Sequence, residues 1–259
     1  MVRFYDVNGI RTRVLELGEG EPIILLHGWG TKIESLFPIS SFLQTDMKVI
    51  IMDFPGFGQT DFPPAPWGVS DYVDWLRSLL HILKIDSAYF LGHSFGGRVG
   101  IKLAASAPEI VKGLILVDSA GVRQFETSWR TKILGAISGV AKPFLYLLPG
   151  SLSNKIRWKF YKSIGSTDYL TAGRLRETYL KVINEDLEPL LGNICAPTLL
   201  VWGEKDQATP LKDGELMARK ITGSKLIVIK DAGHYPFVDN PIEVNKYIAE
   251  YLKQPEKLL

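Results

Sequence analysis

Three residues that could together carry out nucleophilic catalysis are spread along this chain of 259 residues. Ser94 lies in GHSFG, which follows the apolar run AYFL and fits the pattern G-x-S-x-G. A serine hydroxyl is a poor nucleophile at neutral pH and needs an adjacent base, for which His234 in DAGHYPF is the candidate. Asp206 in WGEKDQATP is the best candidate for the acid that holds the imidazole in the required tautomer. The chain order Ser, Asp, His therefore predicts a nucleophile, an acid and a base.

Two further aspartates follow apolar runs and need their own interpretation. Asp118, after GLILV, is the main rival of Asp206 for the role of the acid. We expect Asp53, in DFPGFG, to hold its glycine-rich turn through hydrogen bonds to backbone amides. That role is structural.

The other three histidines carry no clear chemical signal. We expect His27 to orient the loop that follows it, and His93 and His81 to be packing or surface residues. The four histidines of the chain lack the spacing of metal ligands, so the sequence predicts no metal. The stretches GFG and GGRVG are poor matches to a dinucleotide-binding motif, and we expect no cofactor.

Short apolar runs alternating with helical patterns must position these side chains. Six runs are apolar at nearly every position, as in parallel strands that are covered on both faces. They are PIILLHG, KVIIMDFPG, AYFLGHS, GLILVDS, PTLLVWGEKD and KLIVIKDAGH. The alternation predicts an α/β fold with a doubly wound, mostly parallel sheet. Ligands of such sheets bind at the carboxyl ends of the strands, where the candidate residues lie.

Local signals refine this outline at both ends of the chain. The pair Asn8-Gly9 between two strand-like runs predicts a β-hairpin with a type I′ turn. A helical pattern from Ser70 to Ile85 predicts a helix with Ser70 as its N-cap. NPIE predicts a last helix capped by Asn240, with Pro241 in its first turn.

Residues 122–185 interrupt the alternation, because they contain no strand-like run. Eleven basic and four acidic residues give this stretch a net charge of +7. We predict that it is a helical cap, inserted after the strand ending near Asp118 into a core of residues 1–121 and 186–259. Its basic residues either form a solvated surface or attract an anionic substrate. They include Arg123, Arg130, Lys155, Arg157, Lys159 and Lys162.

Composition limits the class of protein. The chain is 46% hydrophobic and 22% charged, which suits one large α/β domain. A net charge of +2 gives no general attraction to nucleic acid. The single Cys195 rules out an internal disulfide framework, and we see neither a signal peptide nor an unbroken apolar span. We therefore expect a cytoplasmic protein that binds no nucleic acid and does not span a membrane. Its oligomeric state is left open.

The chain resembles the α/β-hydrolase superfamily over nearly its whole length. The motifs that carry the resemblance, in order, are LLHGWG, DFPGFGQT, GHSFGG, WGEKD and GHYPF. The resemblance implies a triad of Ser94, Asp206 and His234. It also implies that the backbone amides of Trp29 and Phe95 form an oxyanion hole for the negative oxygen of the tetrahedral intermediate.

The same resemblance implies a carboxylic ester hydrolase that needs no cofactor and acts on small molecules. The apolar run from Phe144 to Leu148 in the predicted cap favours small to medium apolar acyl groups. Serine relatives also include perhydrolases, carbon–carbon bond hydrolases of ring-cleavage products, and ligand receptors with weak turnover. The motifs leave these alternatives open. Relatives that act on haloalkanes or epoxides use an aspartate nucleophile, which argues against that chemistry here. Residues expected to line the substrate pocket are Trp29, Phe144, Leu145, Leu148 and Phe237.

Overall fold

A mostly parallel β-sheet runs through the part of the chain that the structure, a computed structural model, describes: residues 1–122 and 172–255. Its eight strands are β1 (Val2–Val7), β2 (Ile10–Leu17), β3 (Glu21–Leu26), β4 (Met47–Met52), β5 (Ala88–His93), β6 (Val111–Val117), β7 (Thr198–Gly203) and β8 (Ser224–Ile229). The order across the sheet is β1-β2-β4-β3-β5-β6-β7-β8. β2 is antiparallel to β1 and β4, and the remaining neighbours are parallel. The predicted α/β fold is confirmed.

Helices cover both faces of this sheet. They are α1 (Phe37–Leu43), α2 (Val69–Ile82), α3 (Phe95–Ser106), α4 (Arg176–Asn184), α5 (Leu211–Lys220), α6 (Pro236–Asp239) and α7 (Pro241–Lys253). On β3, Ile24 and Leu26 pack into a core with α2 and α3, whereas Ile23 and Leu25 pack into a second core with α1 and α7. Successive side chains of a strand point to opposite faces, so a strand covered on both sides is apolar throughout.

The hairpin and the last helix follow their predicted signals. Asn8 has φ 55° and Gly9 has φ 82°, the positive values that a type I′ turn requires. At the start of α7 the side chain of Asn240 accepts a hydrogen bond from the Glu243 amide at 3.4 Å, as a cap does.

The prediction that Ser70 caps α2 is wrong. The helix begins at Val69 and Gly68 is its N-cap. The carboxylate of Asp71 accepts a hydrogen bond from the Gly68 amide at 2.7 Å. Because a side chain at the third helical position satisfies the cap amide, the chain can enter the helix two residues earlier than the serine suggests.

The order in which successive strands are added to the sheet reverses at β3. This strand pairs with β4 on one side and with β5 on the other, so the connections that leave these carboxyl ends diverge. Such a switch point opens a crevice at the ends of the two strands. The loop that begins at His27 and the turn that begins at Ser94 flank this crevice.

The two ends of the predicted cap lie next to each other, where the chain leaves the core and returns to it. The amide of Leu187 donates to the carbonyl of Gly121 at 2.9 Å. Nearby, α3 holds Glu185 through an ion pair from Lys102 and a bond from the Arg98 guanidinium to the Glu185 carbonyl at 2.7 Å. A closed base of this kind is compatible with an insertion. Residues 123–171, with Phe144, Leu145 and Leu148, lie outside the described residues, so the cap stays a prediction.

Within residues 1–122 and 172–255, none of the helices has the length and apolarity that crossing a membrane would require.

The turn after β5 provides a direct test of the packing. A Cβ built on Gly96 would overlap the backbone carbonyl of Leu26, which cannot move without disturbing β3. We therefore predict that Gly96→Ala lowers the free energy of unfolding by more than about 3 kcal/mol, beyond the usual cost of overpacking. Gly192→Ala is the matched control, because nothing lies within 4 Å of its built Cβ. Equal denaturant midpoints for the two variants would contradict this packing.

Candidate active site

Ser94 occupies a strained turn between β5 and α3. Its backbone has φ 51° and ψ −112°, a region that residues with a side chain rarely adopt. The turn requires two glycines, since a Cβ on Gly92 would lie 2.5 Å from the carbonyl oxygen of Gly96 and one on Gly96 would overlap Leu26. This geometry places a half-buried serine side chain at the carboxyl end of the central strand β5. It has the form of a nucleophile elbow.

The loops after β7 and β8 bring a carboxylate and an imidazole together. His234 Nδ1 lies 2.8 Å from Asp206 Oδ2. The Asp206 side chain has no exposed surface, whereas that of His234 is 20% exposed. The other Asp206 oxygen accepts from the amides of Ala208 at 2.7 Å and Thr209 at 3.1 Å, and the Thr209 hydroxyl lies 2.6 Å from Oδ2. Every oxygen of this buried carboxylate therefore has a donor.

These donors decide the charge of Asp206. Burial alone would raise its pKa, but the hydrogen bonds from His234 and Thr209 outweigh burial and lower the pKa to about 2. Asp206 is therefore ionised at neutral pH. An ionised acceptor at Nδ1 keeps the proton of a neutral His234 on that nitrogen, which leaves Nε2 as the basic atom.

Asp118, the rival acid, lies in a different environment. Its side chain is fully buried at the end of β6, and its Oδ1 accepts from the Gly203 amide at 2.9 Å. Its Oδ2 accepts no hydrogen bond from any of the described residues. Burial, aided by the nearby charge of Asp206, raises the pKa of Asp118 to about 9 against the lowering effect of that amide. Asp118 is therefore a neutral acid near pH 7, and it is Asp206 that bonds His234.

The loop after β3 is anchored by buried polar contacts. His27 Nε2 accepts from the Phe54 amide at 3.0 Å, and its Nδ1 lies 2.8 Å from the Gly28 carbonyl. Burial lowers the pKa of His27 to about 4, so the ring is neutral and Nδ1 is the donor. Asp53 accepts from the amides of Ile33 at 2.8 Å and Gln59 at 2.9 Å. The expected structural roles of His27 and Asp53 are confirmed.

The two predicted oxyanion amides lie on segments that touch. Phe95 is the first residue of α3, and the first amides of a helix have no intrahelical acceptor. A Cβ built on Gly28 would lie 3.5 Å from the Cβ of Ser94, which puts the loop of Trp29 against the elbow. The Trp29 and Phe95 rings meet edge to face, with centroids 5.4 Å apart. An oxyanion role for both amides stays a prediction.

Aromatic rings pack together beside the elbow. Trp29 is half-buried and contacts Phe57 at 4.9 Å and Tyr179 at 5.1 Å between centroids. Tyr179 belongs to α4, which is part of the predicted cap. The described end of the cap sequence therefore packs against the loop that carries Trp29, and the contact between them is aromatic.

Sequence reasoning missed two residues at this site. Thr209 bridges Asp206 and the backbone of Asp118, whose carbonyl oxygen lies 3.0 Å from the threonine hydroxyl. Its position three residues after an aspartate in a turn was an available signal. His93 is 1% exposed, and its Nε2 lies 2.8 Å from the main-chain oxygen of His234. Nothing in the sequence indicates that contact.

Phe237 was expected to line the substrate pocket. It is fully buried in the core beneath α7, and its ring packs edge to face on His93 with centroids 5.1 Å apart. We therefore assign it a packing role. Among the described residues, no group of three or more His, Cys, Asp or Glu side chains is arranged to hold a metal ion.

Comparisons with a family model, with curated proteins and with solved structures all point to one family. A model described as "alpha/beta hydrolase fold" matches residues 21–241. The chain is 27% identical to a pimeloyl-[acyl-carrier protein] methyl ester esterase of Shewanella woodyi, over 92% of this chain and 96% of that protein. It is 26% identical to a 2-hydroxy-6-oxo-6-(2'-aminophenyl)hexa-2,4-dienoic acid hydrolase of Metapseudomonas resinovorans, over 97% and 91%. The crystal structure of a hydrolase from Pseudomonas aeruginosa PA01 superposes with a TM-score of 0.75 at 25% identity, covering 97% of this chain and 98% of that one.

The neutral state of Asp118 predicts a pH-dependent stability. Between its unfolded pKa, about 4, and its folded pKa, about 9, the folded protein holds a proton that the unfolded chain has lost. Stability therefore falls as pH rises through this window. Asp118→Asn mimics the neutral acid and should raise the free energy of unfolding at pH 9 by at least about 1.4 kcal/mol, the equivalent of one pKa unit.

Thermal unfolding at pH 5.5, 7.5 and 9 measures this effect, and the gain from Asp118→Asn should grow with pH. Asp74→Asn, which changes an exposed carboxylate on α2, is the control and should show no such trend. A constant difference between Asp118→Asn and the original protein would mean that Asp118 is ionised throughout.

Proposed function

The chain belongs to the alpha/beta hydrolase family, and on that premise we propose that it is a serine hydrolase that cleaves carboxylic esters of small to medium apolar acyl groups. The observation that carries the proposal is the 2.8 Å hydrogen bond between His234 and Asp206. It joins an ionised acid to an imidazole whose other nitrogen remains basic. Ser94, in its strained turn, supplies the nucleophile.

In the proposed acylation step, Ser94 Oγ attacks the ester carbonyl carbon while His234 Nε2 takes the hydroxyl proton. The imidazolium that forms is stabilised by the Asp206 carboxylate, which stays ionised because its pKa is so low. The carbonyl oxygen becomes negative in the tetrahedral intermediate. Backbone amides of Trp29 and Phe95 are the proposed donors to it.

Collapse of this intermediate expels the alcohol, which takes the proton from His234 as it leaves. A water molecule then takes the place of the alcohol. The water attacks the acyl-enzyme while His234 accepts one of the protons of the water. A second tetrahedral intermediate releases the carboxylic acid and restores Ser94. All the protons in this cycle move through one imidazole, so no cofactor is needed.

Apolar substrates fit the character of the crevice walls. Trp29, Phe57 and Tyr179 provide aromatic surface next to the elbow. The cap sequence adds the apolar run from Phe144 to Leu148. Burial of acyl methylene groups against such surfaces stabilises the bound ester by about 0.8 kcal/mol each.

A carbon–carbon bond hydrolase is the second candidate. One relative is named as the hydrolase of a 2-hydroxy-6-oxo-dienoic acid, and it is about as similar to this chain as the named esterase is. Hydrolysis of such a ketone breaks a carbon–carbon bond. A substrate panel that contains nitrophenyl esters and one ring-cleavage ketone separates the two reactions.

The nucleophile is tested with a fluorophosphonate, which reacts with activated serines. We predict covalent labelling at Ser94 and steady ester turnover, with both abolished by Ser94→Ala because alanine lacks the attacking hydroxyl. Ser106→Ala, at the exposed end of α3, should behave as the original protein. Labelling that persists in Ser94→Ala would remove this serine from the mechanism. A single stoichiometric burst without turnover would favour a ligand receptor.

Substrate preference is tested with nitrophenyl esters of increasing acyl length. Because each buried methylene contributes about 0.8 kcal/mol, kcat/KM should rise about fourfold per methylene up to a medium chain. The rise should be the same at low and high salt for neutral esters, since screening over about 8 Å affects only charged groups. A flat length profile, together with a steep salt dependence for carboxylate-bearing esters, would instead favour attraction of anions by the basic cap.

A further inference from the structure

His93 lies at a junction of the three segments that form the site. It is the last residue of β5 and precedes Ser94 directly, so its backbone belongs to the elbow. Its ring is 1% exposed. The centroid of the ring lies 4.9 Å from that of the His234 ring, and its Nδ1 lies 3.0 Å from a Cβ built on Gly28. A single side chain thus contacts the histidine loop and the loop of Trp29.

The hydrogen bond made by this ring has a defined direction. His93 Nε2 lies 2.8 Å from the main-chain oxygen of His234. A carbonyl oxygen only accepts, so Nε2 carries the proton and donates. The neutral ring therefore adopts the tautomer that is protonated at Nε2 and bare at Nδ1.

The ring also stays neutral. Burial lowers the pKa of His93 to about 3, and the positive charge that forms on His234 lowers it as well. The titratable groups around His93 are His234, Asp206, His27 and Tyr235, and the Tyr235 ring centroid lies 4.9 Å from that of His93. A neutral neighbour does not oppose the protonation of His234, whereas a second imidazolium at this distance would.

Together with Asp206, this bond holds His234 at two points. Asp206 fixes the ring through Nδ1, and His93 fixes the main chain through the carbonyl. The first contact comes from the loop after β7, and the second comes from the residue next to Ser94. The His93 side chain therefore connects the residue next to the proposed nucleophile to the main chain of the proposed base.

We propose that His93 is a positioning residue: the hydrogen bond from its Nε2 fixes the position of the His234 main chain relative to Ser94. This inference rests on the proposed hydrolase function. It assigns a role in alignment to a residue that would otherwise only fill space below the elbow. Its chemical requirement is a donor at the Nε2 position, with no charge.

Two amide substitutions separate the hydrogen bond from the volume of the ring. In His93→Gln the amide nitrogen reaches about as far as Nε2, whereas in His93→Asn it reaches only as far as Nδ1. We expect His93→Asn to lower kcat on the order of 10²-fold, the effect of a misplaced catalytic group. His93→Gln should recover most of that loss, and KM should change little in both variants.

Leu79→Ala, in the core face of α2, controls for destabilisation without a change at the site. It should lower Tm and leave kcat unchanged. Equal kcat values for His93→Gln and His93→Asn at comparable Tm would overturn the proposal, because both variants lose the ring and only one keeps the donor.

A measurement on the original protein covers the case in which neither variant folds. Nitrogen NMR of ¹⁵N-histidine-labelled protein should show one neutral ring, protonated at Nε2 and bare at Nδ1, that does not titrate between pH 5 and 9. A His93 ring protonated at Nδ1, or one that titrates in this range, would contradict the proposal. If instead the original protein neither turns over esters nor reacts with fluorophosphonate, the hydrolase function fails, and this spectrum still tests the contact.

Discussion

The hydrogen bond between Asp206 and His234 is the contact on which the site depends. Burying a carboxylate costs free energy unless its oxygens accept hydrogen bonds. Two amides, a hydroxyl and an imidazole form hydrogen bonds with the Asp206 carboxylate. The sheet makes this arrangement possible, because β7 and β8 are parallel neighbours whose carboxyl ends meet at one edge. The apolar cores on both faces of the sheet hold those ends in register. Stability and chemistry therefore share one framework.

Two buried aspartates at this edge show how environment divides the work between identical side chains. Asp206 has a donor for each oxygen and is ionised, whereas Asp118 has one amide and a bare Oδ2 and is neutral. Their mutual repulsion strengthens the difference, since one negative charge disfavours a second nearby. Thr209 contacts both residues, and its hydroxyl lies 2.6 Å from Oδ2 of the ionised Asp206. The negative charge of the pair therefore lies on Asp206, the aspartate that is hydrogen-bonded to His234.

Much of the fold, the strained turn at Ser94 and the pairing of Asp206 with His234 could be predicted from the sequence, because the apolar runs and glycine patterns are local signals. Gly92 and Gly96 are needed at close backbone contacts beside Ser94, and that requirement is visible in GHSFG. The contact of His93 could not be read in this way, since it depends on how far the loop after β8 reaches. For Thr209 the spacing from Asp206 is a local signal, but its contact with the Asp118 backbone depends on the neighbouring strand β6. The Gly68 cap was missed because Asp71, rather than the preceding serine, satisfies the helix start. The assignment of Phe237 needed its burial, which no pattern supplies.

The central claim is that Asp206 is the acid that orients His234, and the steady-state turnover of Asp206→Asn tests it most directly. An amide at this position keeps the size of the side chain and removes the charge that selects the tautomer. We expect a loss of kcat of about 10⁴-fold, the scale seen when the orienting acid of a serine triad is neutralised. Turnover within tenfold of the original protein would contradict it and return Asp118 to consideration as the acid.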